Sequence, residues 1–565
     1  AHADPHTLYL GSNVLFKTMD GGHSWDIISP DLTREDPGVP SKLGQFAEYS
    51  DPAKGKHRGV IYSIGPSFKD ANTIWIGTDD GQIQITHDGG KSWQNITPPD
   101  LAPWSKVAQI EASHFDENTA YAAINRLRND DLHAVILRTH DGGKSWQRDS
   151  NGIPDDQPVN AVREDPVRKG LLYAATELGV WYSLDDGDHW QSLQLNLPST
   201  SVRDIVVHDN DLIAGTHGRS FWILDDITPL RQMESGGATT KLYQPETAYR
   251  IRRDNYTDTP PPPEMPAGQN PPEGAILNYS LASNTSSPVV IEISDAQGKR
   301  VRRFSSTDKL SIPTPKELNV PYYWIRMPHG LSGEAGMHRL VWDLRYPAPE
   351  SLRHGYPIAA IVHNTPRYPL GQFVLPGYYT VKLTADGQTQ SAKLTVKMDP
   401  RIKTTPARLQ ELFEAQSKLA SAMDADFEAL SQVRSLREQI RKLQPKAQGE
   451  AAQSLSSLDN AVSALEGAPG GSGRATATDS LGGLSGGLAQ VYSVLDMSDA
   501  APTSPQQQAI ADLLERNEPI MRRWNGIRAN DLAETNAKLK AAGLPVLDIN
   551  RVSTATEEES EGDKP

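Results

Sequence analysis

The residues best placed to do chemistry recur in one phrase. Thr18 to Trp25, Thr86 to Trp93, Thr139 to Trp146 and Ser183 to Trp190 all read S/T-x-D-x-G-x-x-W. Each copy offers a carboxylate (Asp20, Asp88, Asp141, Asp185), a glycine (Gly22, Gly90, Gly143, Gly187) and an indole (Trp25, Trp93, Trp146, Trp190). Paired carboxylates are the acid and base of glycoside hydrolysis. A carboxylate in a glycine-containing turn has another use: it accepts hydrogen bonds from the turn's own N–H groups, while glycine supplies positive φ and the hydroxyl a local acceptor. Each copy lies between two short strand-like runs, such as Ala134 to Arg138 and Ser145 to Arg148, and so reads as a hairpin turn covered by its indole. These residues are expected to be structural, and no catalytic residue is assigned.

Other candidates lie outside the phrase. Glu111, Asp116, Glu164, Asp165 and Glu177 are carboxylates of the same region, with no two standing out as an opposed pair. His217 and Arg219, in the run Gly215-Thr216-His217-Gly218-Arg219-Ser220, sit at a strand-to-strand turn and are candidates to face a ligand. A hydrogen bond that closes the turn is their competing role. Trp75, Trp181 and Trp222 occupy strand positions, where aromatic side chains fill cores. Trp104 follows the loop Pro98 to Pro103 and is the indole expected to be exposed toward a ligand. The 15 histidines show no ligand spacing, so no metal site and no cofactor is expected.

These residues hang on a repeated element. Around the fourth phrase the strands are Val159 to Glu164, Leu171 to Thr176, Val180 to Ser183 and His189 to Leu195. Four antiparallel strands per roughly 40 to 50 residues make a propeller blade. The second unit runs from Val60 to Thr97 and the third from Val107 to Arg148. A fifth begins at Val202, lacks the phrase, and is expected to finish near Arg250. The first opens at Thr7 to Ser12, which corresponds to a second strand, so its innermost strand is expected from the N-terminal part of the same precursor. Ala1 stands in place of Met with no leader pattern behind it, which agrees with a processed or excised chain.

The fold class is mainly β: blades over 1–250, a Pro-rich linker over 251–273 that includes Pro260 to Pro263, and an Ig-like β-sandwich over 274–398. The sandwich strands are expected at Ile276 to Leu281, Val289 to Ser294, Arg300 to Phe304, His338 to Leu344, Gly377 to Thr384 and Gln390 to Val396. A helical hairpin or bundle fills 399–545, and 546–565 is an acidic tail. Helices are expected over Pro406 to Leu443, Glu450 to Leu465, Asp479 to Leu495 and Ser504 to Ala542, the last with Ser504 as N-cap and Pro505 first in the helix.

Composition narrows the partners. The chain has 565 residues and a formal charge of -15, and no basic run is dense enough to follow a phosphate backbone, which argues against nucleic acid. With 0 cysteines there are no disulfides, thiolate metal sites or cysteine nucleophiles. No apolar stretch is long enough to span a membrane.

Thr216 to Asp226, His338 to Arg345 and Pro376 to Thr380 resemble large bacterial exported proteins with BNR (Asp-box) repeats and sortilin-like, glycosyl hydrolase-like propellers. The resemblance implies a secreted, periplasmic or cell-surface protein with further blades ahead of this sequence. It also implies that the Asp-box turns lie at the blade periphery. The first functional expectation is a non-catalytic binding or scaffold protein that recognises protein or peptide. Alternatives are a glycoside hydrolase acting on polysaccharide through a carboxylate pair on the propeller face, and a structural component of a cell-surface assembly.

Overall fold

The computed structural model describes residues 4–38, 59–236, 239–252, 262–265, 268–352, 354–357, 361–467 and 479–550. Ala1, the prolines Pro260 and Pro261, the helix break after Gly467 and the tail from 551 onward lie outside the described residues. The chain forms two units, Ala1–Gly237 and Ala238–Pro565. Among the described residues the first is antiparallel β apart from a 3-10 turn at Leu127–Asn129 and one short α-helix, and the second combines β-sheets with the helical region.

The first unit is a series of meanders. Sheet I has strands Leu8–Gly11, Leu15–Thr18 and Asp26–Ile27. Sheet II has Ile61–Pro66, Ile74–Thr78, Ile83–Thr86 and Gln94–Asn95. Sheet III has Lys106–Ala112, Ala120–Asn125, Val135–Thr139 and Gln147–Arg148. Sheet IV has Val159–Glu164, Leu172–Thr176, Val180–Ser183 and Gln191–Ser192. Sheet V has Val202–His208, Asp211–Thr216 and Phe221–Leu224. Within each sheet the strands are ordered as in the sequence, so Leu8–Gly11 and Phe221–Leu224 are edges.

Each sheet buries its two faces against its neighbours. Tyr121, Ala123 and Ile136 of sheet III share a core with Val162, Leu172 and Ala174 of sheet IV, and the opposite faces of those strands join the flanking cores. The period of two that sends alternate side chains to opposite faces therefore makes nearly every residue of Ala120–Asn125 and Leu172–Thr176 apolar or small. This stacking of four-stranded meanders is the arrangement of propeller blades. The first strands of sheets II to V each carry a register shift at the same place, after Ile61, Val107, Val159 and Val202. A bulge frees backbone groups; the Val162 N–H next to one of them donates to Gln109 Oε1 of the preceding sheet at 2.8 Å.

The fifth blade ends sooner than the sequence suggested. After Leu224 the chain turns into α1 (Thr228–Gln232), whose Leu230 joins the core of sheets IV and V. Lys241–Leu242 and Ala248–Arg250, expected within the blades, are strands of the second unit. Their Leu242 and Ala248 are buried in its core. One sheet there is Lys241–Leu242, Ala275–Leu281, Gly336–Trp342; the other is Ala248–Arg250, Gln388–Met398, Gly377–Ala385, Val290–Ser294, Arg300–Ser305. Both enclose the same core, so the unit contains a two-sheet sandwich.

The helices are α2 (Pro406–Leu443), α3 (Gly449–Glu466), α4 (Leu481–Leu495), α5 (Ser504–Gly526) and α6 (Leu532–Ala541), packed around one apolar cluster. The expected last helix is interrupted by a π-turn at Ile527–Asp531. Its cap is Thr503, not Ser504: the Gln506 side chain accepts the Thr503 N–H at 2.8 Å, which fixes the first turn one residue earlier. Arg250, Arg252 and Arg345 gather over the Phe373 ring, and Asp499 and Asp496 beside α4 receive their guanidinium groups, joining sandwich to bundle.

Asp426 of α2 is 0% exposed, and burial raises its carboxyl from 3.8 to about 7. A raised carboxyl favours the protonated folded state. The contribution of Asp426 to stability is therefore most favourable below pH 3.8, declines as pH rises toward 7, and is level above. Urea melts of Asp426→Asn followed at several pH values should show that slope removed and a gain of roughly 2–4 kcal/mol at pH 8.

Candidate functional site

The meander order gives the first unit two ends. One carries the repeated turns, the other the turns between second and third strands together with the sheet-to-sheet connections. At the first end the aspartates are fully engaged. Asp88 Oδ1 accepts the Thr86 hydroxyl at 2.8 Å and the Ser92 N–H at 2.9 Å, and Oδ2 accepts the Ser92 hydroxyl at 2.6 Å. Asp20 and Asp141 repeat this with Ser24 and Ser145, and Asp185 with His189. Gly22, Gly90, Gly143 and Gly187 hold positive φ and donate to the turn hydroxyl. Hydrogen bonds from the following serine hold Asp20, Asp88 and Asp141 below the usual carboxylate range, with Asp141 at about 2. Such groups cannot serve as general acids near neutrality.

The indoles of these turns reach backward along the array. Trp93 Nε1 donates to the Ile28 carbonyl at 3.0 Å, Trp146 to Ile96 at 2.8 Å and Trp190 to Asp149 at 2.7 Å, each into the preceding sheet. Trp25, in the first sheet, donates to Gly22 of its own turn.

The opposite end is built differently. Trp104 has φ 64 and is half-buried, its Nε1 donating to the Gly38 carbonyl at 3.2 Å. The Arg128 guanidinium lies 5.5 Å from its ring and pairs with Asp79 at 3.2 Å, while Asp79 accepts the Val60 N–H at 2.7 Å. Tyr62, the bulge residue of sheet II, is 52% exposed with Lys106 4.6 Å from its ring. Sheets II and III thus carry two groupings at this end, Tyr62 with Lys106 and Trp104 with Arg128 and Asp79. Along the same end, Asn125, Asn160, Glu177 and Arg203 form a hydrogen-bonded row.

His217 and Arg219 lie on this end, on sheet V, away from Trp104. Their turn is closed by the Thr216 N–H on the Ser220 carbonyl at 3.2 Å; the His217 N–H donates to the Ser201 carbonyl, and the Arg219 carbonyl accepts the Trp222 indole Nε1 at 2.9 Å. Both residues are exposed. Trp75 is a core residue, buried between sheets II and III. Sequence reasoning missed Tyr62, Asp79, Lys106 and Arg128, because a β-bulge and the reach of an arginine across two turns leave no periodic signature. A signal existed in the aligned first strands, where the bulge puts Tyr62 level with Asn160 and Arg203.

The five remaining carboxylates are not a free pair. Glu111 pairs with Arg163 at 2.8 Å, and Arg163 also reaches Asp204 at 3.1 Å. Glu164 is buried against the Ser113 hydroxyl at 2.6 Å and the His114 N–H at 2.8 Å, and burial raises its pKa. Both oxygens of Asp165 accept from the Arg231 Nε–H, at 2.9 and 3.0 Å. Asp116 accepts the Asn118 N–H at 2.7 Å, and Glu177 pairs with Arg203 at 2.9 Å. Among the described residues no group of three or more potential ligands is arranged for a metal ion, and no helix is long and apolar enough to cross a membrane.

No family model matches the chain. Over 80 residues it is 36% identical to the vacuolar protein sorting/targeting protein 10 of Aspergillus fumigatus, a match covering 14% of this chain and 5% of that protein. Over 154 residues it is 23% identical to the oligoxyloglucan-reducing end-specific xyloglucanase of Emericella nidulans, covering 26% and 16%. The matched stretches span only a small part of the length of these curated relatives. Among solved structures, the GH74 xyloglucanase of Xanthomonas campestris is 14% identical, covers 71% of this chain and 79% of that one, and gives a TM-score of 0.32. YCF48 from Cyanidioschyzon merolae is 18% identical, with coverages of 30% and 53% and a TM-score of 0.23. Superpositions at these scores add nothing to the topology described above.

The turn assignment makes a pH prediction. Because the Asp141 carboxyl is depressed, its contribution to stability is present above 3.8 and disappears only as pH falls through about 2. A carbon-detected NMR titration should place its midpoint near 2; a midpoint in the ordinary carboxylate range would show that the turn bonds do not form.

Proposed function

We propose that the blade unit is the recognition module of an exported polysaccharide-binding protein, with the glycan lying across the loop end over Tyr62 and Trp104. The observation that carries this is the pair of aromatic side chains on this end, Tyr62 and Trp104, each beside a cation. Sugar rings offer C–H faces to aromatic side chains and hydroxyls to planar charged groups, and Arg128, Asp79 and Lys106 flank the two rings. The xyloglucanase match supports a glucan over the peptide ligand first expected. In this reading the repeated turns are scaffold, their aspartates consumed by hydrogen bonds within the turn.

The same match favours a second reading, glycoside hydrolysis. Hydrolysis needs an acid and a base or nucleophile at about 5 to 10 Å, both accessible to the glycosidic bond. Glu111, Glu164, Asp165 and Glu177 are committed to arginines or backbone, so such a pair would have to be formed by other carboxylates.

Calorimetric titration with xyloglucan oligosaccharides, run beside a reducing-end assay, tests both. Binding without release of reducing ends is expected, weakened about tenfold by Trp104→Ala or Tyr62→Ala with unchanged circular dichroism. Absence of binding would overturn the proposal, and release of reducing ends would replace it with the hydrolase.

A further inference from the structure

Four sheets share one hydrogen bond between the segments of their last two strands. The N–H groups of Ile28, Ile96, Asp149 and Leu193 donate to the carbonyls of Leu15, Ile83, Ile136 and Val180 at 2.9, 3.0, 3.0 and 2.9 Å. In two of them the next residue's hydroxyl answers: Leu15 N–H donates to Ser29 Oγ and Ile83 N–H to Thr97 Oγ1, both at 2.8 Å. The register of sheets IV and V makes Phe221 the equivalent of Val180, since Val180 faces Ala175 and Phe221 faces Gly215 at the same step of the meander. Val180 is 3% exposed and Phe221 79%. The described residues of sheet V end at its third strand, so the groups of Phe221 and Ile223 that face away from Asp211–Thr216 are open to pairing.

The indole series marks the same place. The turn tryptophans donate in turn to the carbonyls of Ile28, Ile96 and Asp149, all in the last-strand segments of their sheets. The next carbonyl in that series belongs to Leu193. Beside it lies a largely apolar pocket of about 60 Å³, walled by Leu193, Leu195 and Leu197 of the sheet IV connection and by Trp222 and Leu224 of the sheet V edge. The pocket continues the interface already formed between sheets IV and V.

We propose that this edge accepts an extended segment of a separate polypeptide as the fourth strand of sheet V. The donor runs antiparallel to Phe221–Leu224 and reads aromatic, polar, any residue, aliphatic, Ser or Thr, as in Trp25 to Ser29 and Trp93 to Thr97. Its aromatic side chain fills the pocket and donates to Leu193 O, its aliphatic N–H donates to Phe221 O, and its hydroxyl accepts the Phe221 N–H. Main-chain pairing at a sheet edge supplies affinity, and the pocket supplies selectivity. The proposal is independent of the polysaccharide reading.

The probe is a fluorescent synthetic peptide with the sequence of residues 91–97, Lys-Ser-Trp-Gln-Asn-Ile-Thr, titrated onto the intact chain. Saturable binding is expected, with hydrogen exchange slowed at Phe221 and Ile223. Methylating the peptide's Ile nitrogen, or replacing its Trp with Ala, should each weaken binding about tenfold or more. Equal binding of the N-methylated peptide, protection elsewhere in the chain, or no saturation would overturn it. So would a dimer, seen by sedimentation, that pairs these edges and is not dissociated by the peptide.

Discussion

One interaction organises the first unit: an indole N–H held by a tight turn and delivered to a carbonyl of the preceding sheet. The turn aspartate accepts the N–H of the residue just before the tryptophan, as Asp88 does from Ser92, so the carboxylate sets the direction in which the indole leaves. Local order and inter-sheet packing are thereby the same event. Removing the carboxylate would loosen a turn; removing the indole would separate two sheets. The arrangement also explains why depressed carboxyls accumulate at one end without forming an active site. Each is consumed by hydrogen bonds within eight residues of chain.

That arrangement leaves the opposite end free to vary. There the sheets meet through side chains that differ from blade to blade: Tyr62 with Lys106, Trp104 with Arg128, Glu177 with Arg203. The inward carboxylates Glu164 and Asp165 are tied to Ser113, His114 and Arg231, and hold connections rather than expose charge. In the second unit a comparable division appears. The buried arginines over Phe373 fix the bundle to the sandwich, whereas Asp426 has burial without an arginine and so couples the bundle to pH.

Much of the fold was legible because it is periodic. The octet, the two-residue alternation of the strands and the leucine spacing of α2 each depend on neighbours in sequence, and the expected Pro406 to Leu443 is the helix observed. Errors came where a tertiary partner decides. Ala248–Arg250 reads as blade until Gln388–Met398, far along the chain, pairs with it in parallel. Thr503 displaces Ser504 as cap because Gln506 folds back on it. The site was less legible. Trp104 was marked by its loop, yet Arg128 and Asp79 reach it only through turns of two separate sheets, and His217 and Arg219 stand a full blade or more away.

The most direct measurement is a crystal structure of the protein soaked with a xyloglucan oligosaccharide. The account predicts sugar rings against Tyr62 and Trp104, with hydroxyls bonded to Arg128 or Asp79 and the four turn aspartates untouched. Sugar held instead at Asp20, Asp88, Asp141 or Asp185, or bridging two carboxylates elsewhere in the blades, would contradict it.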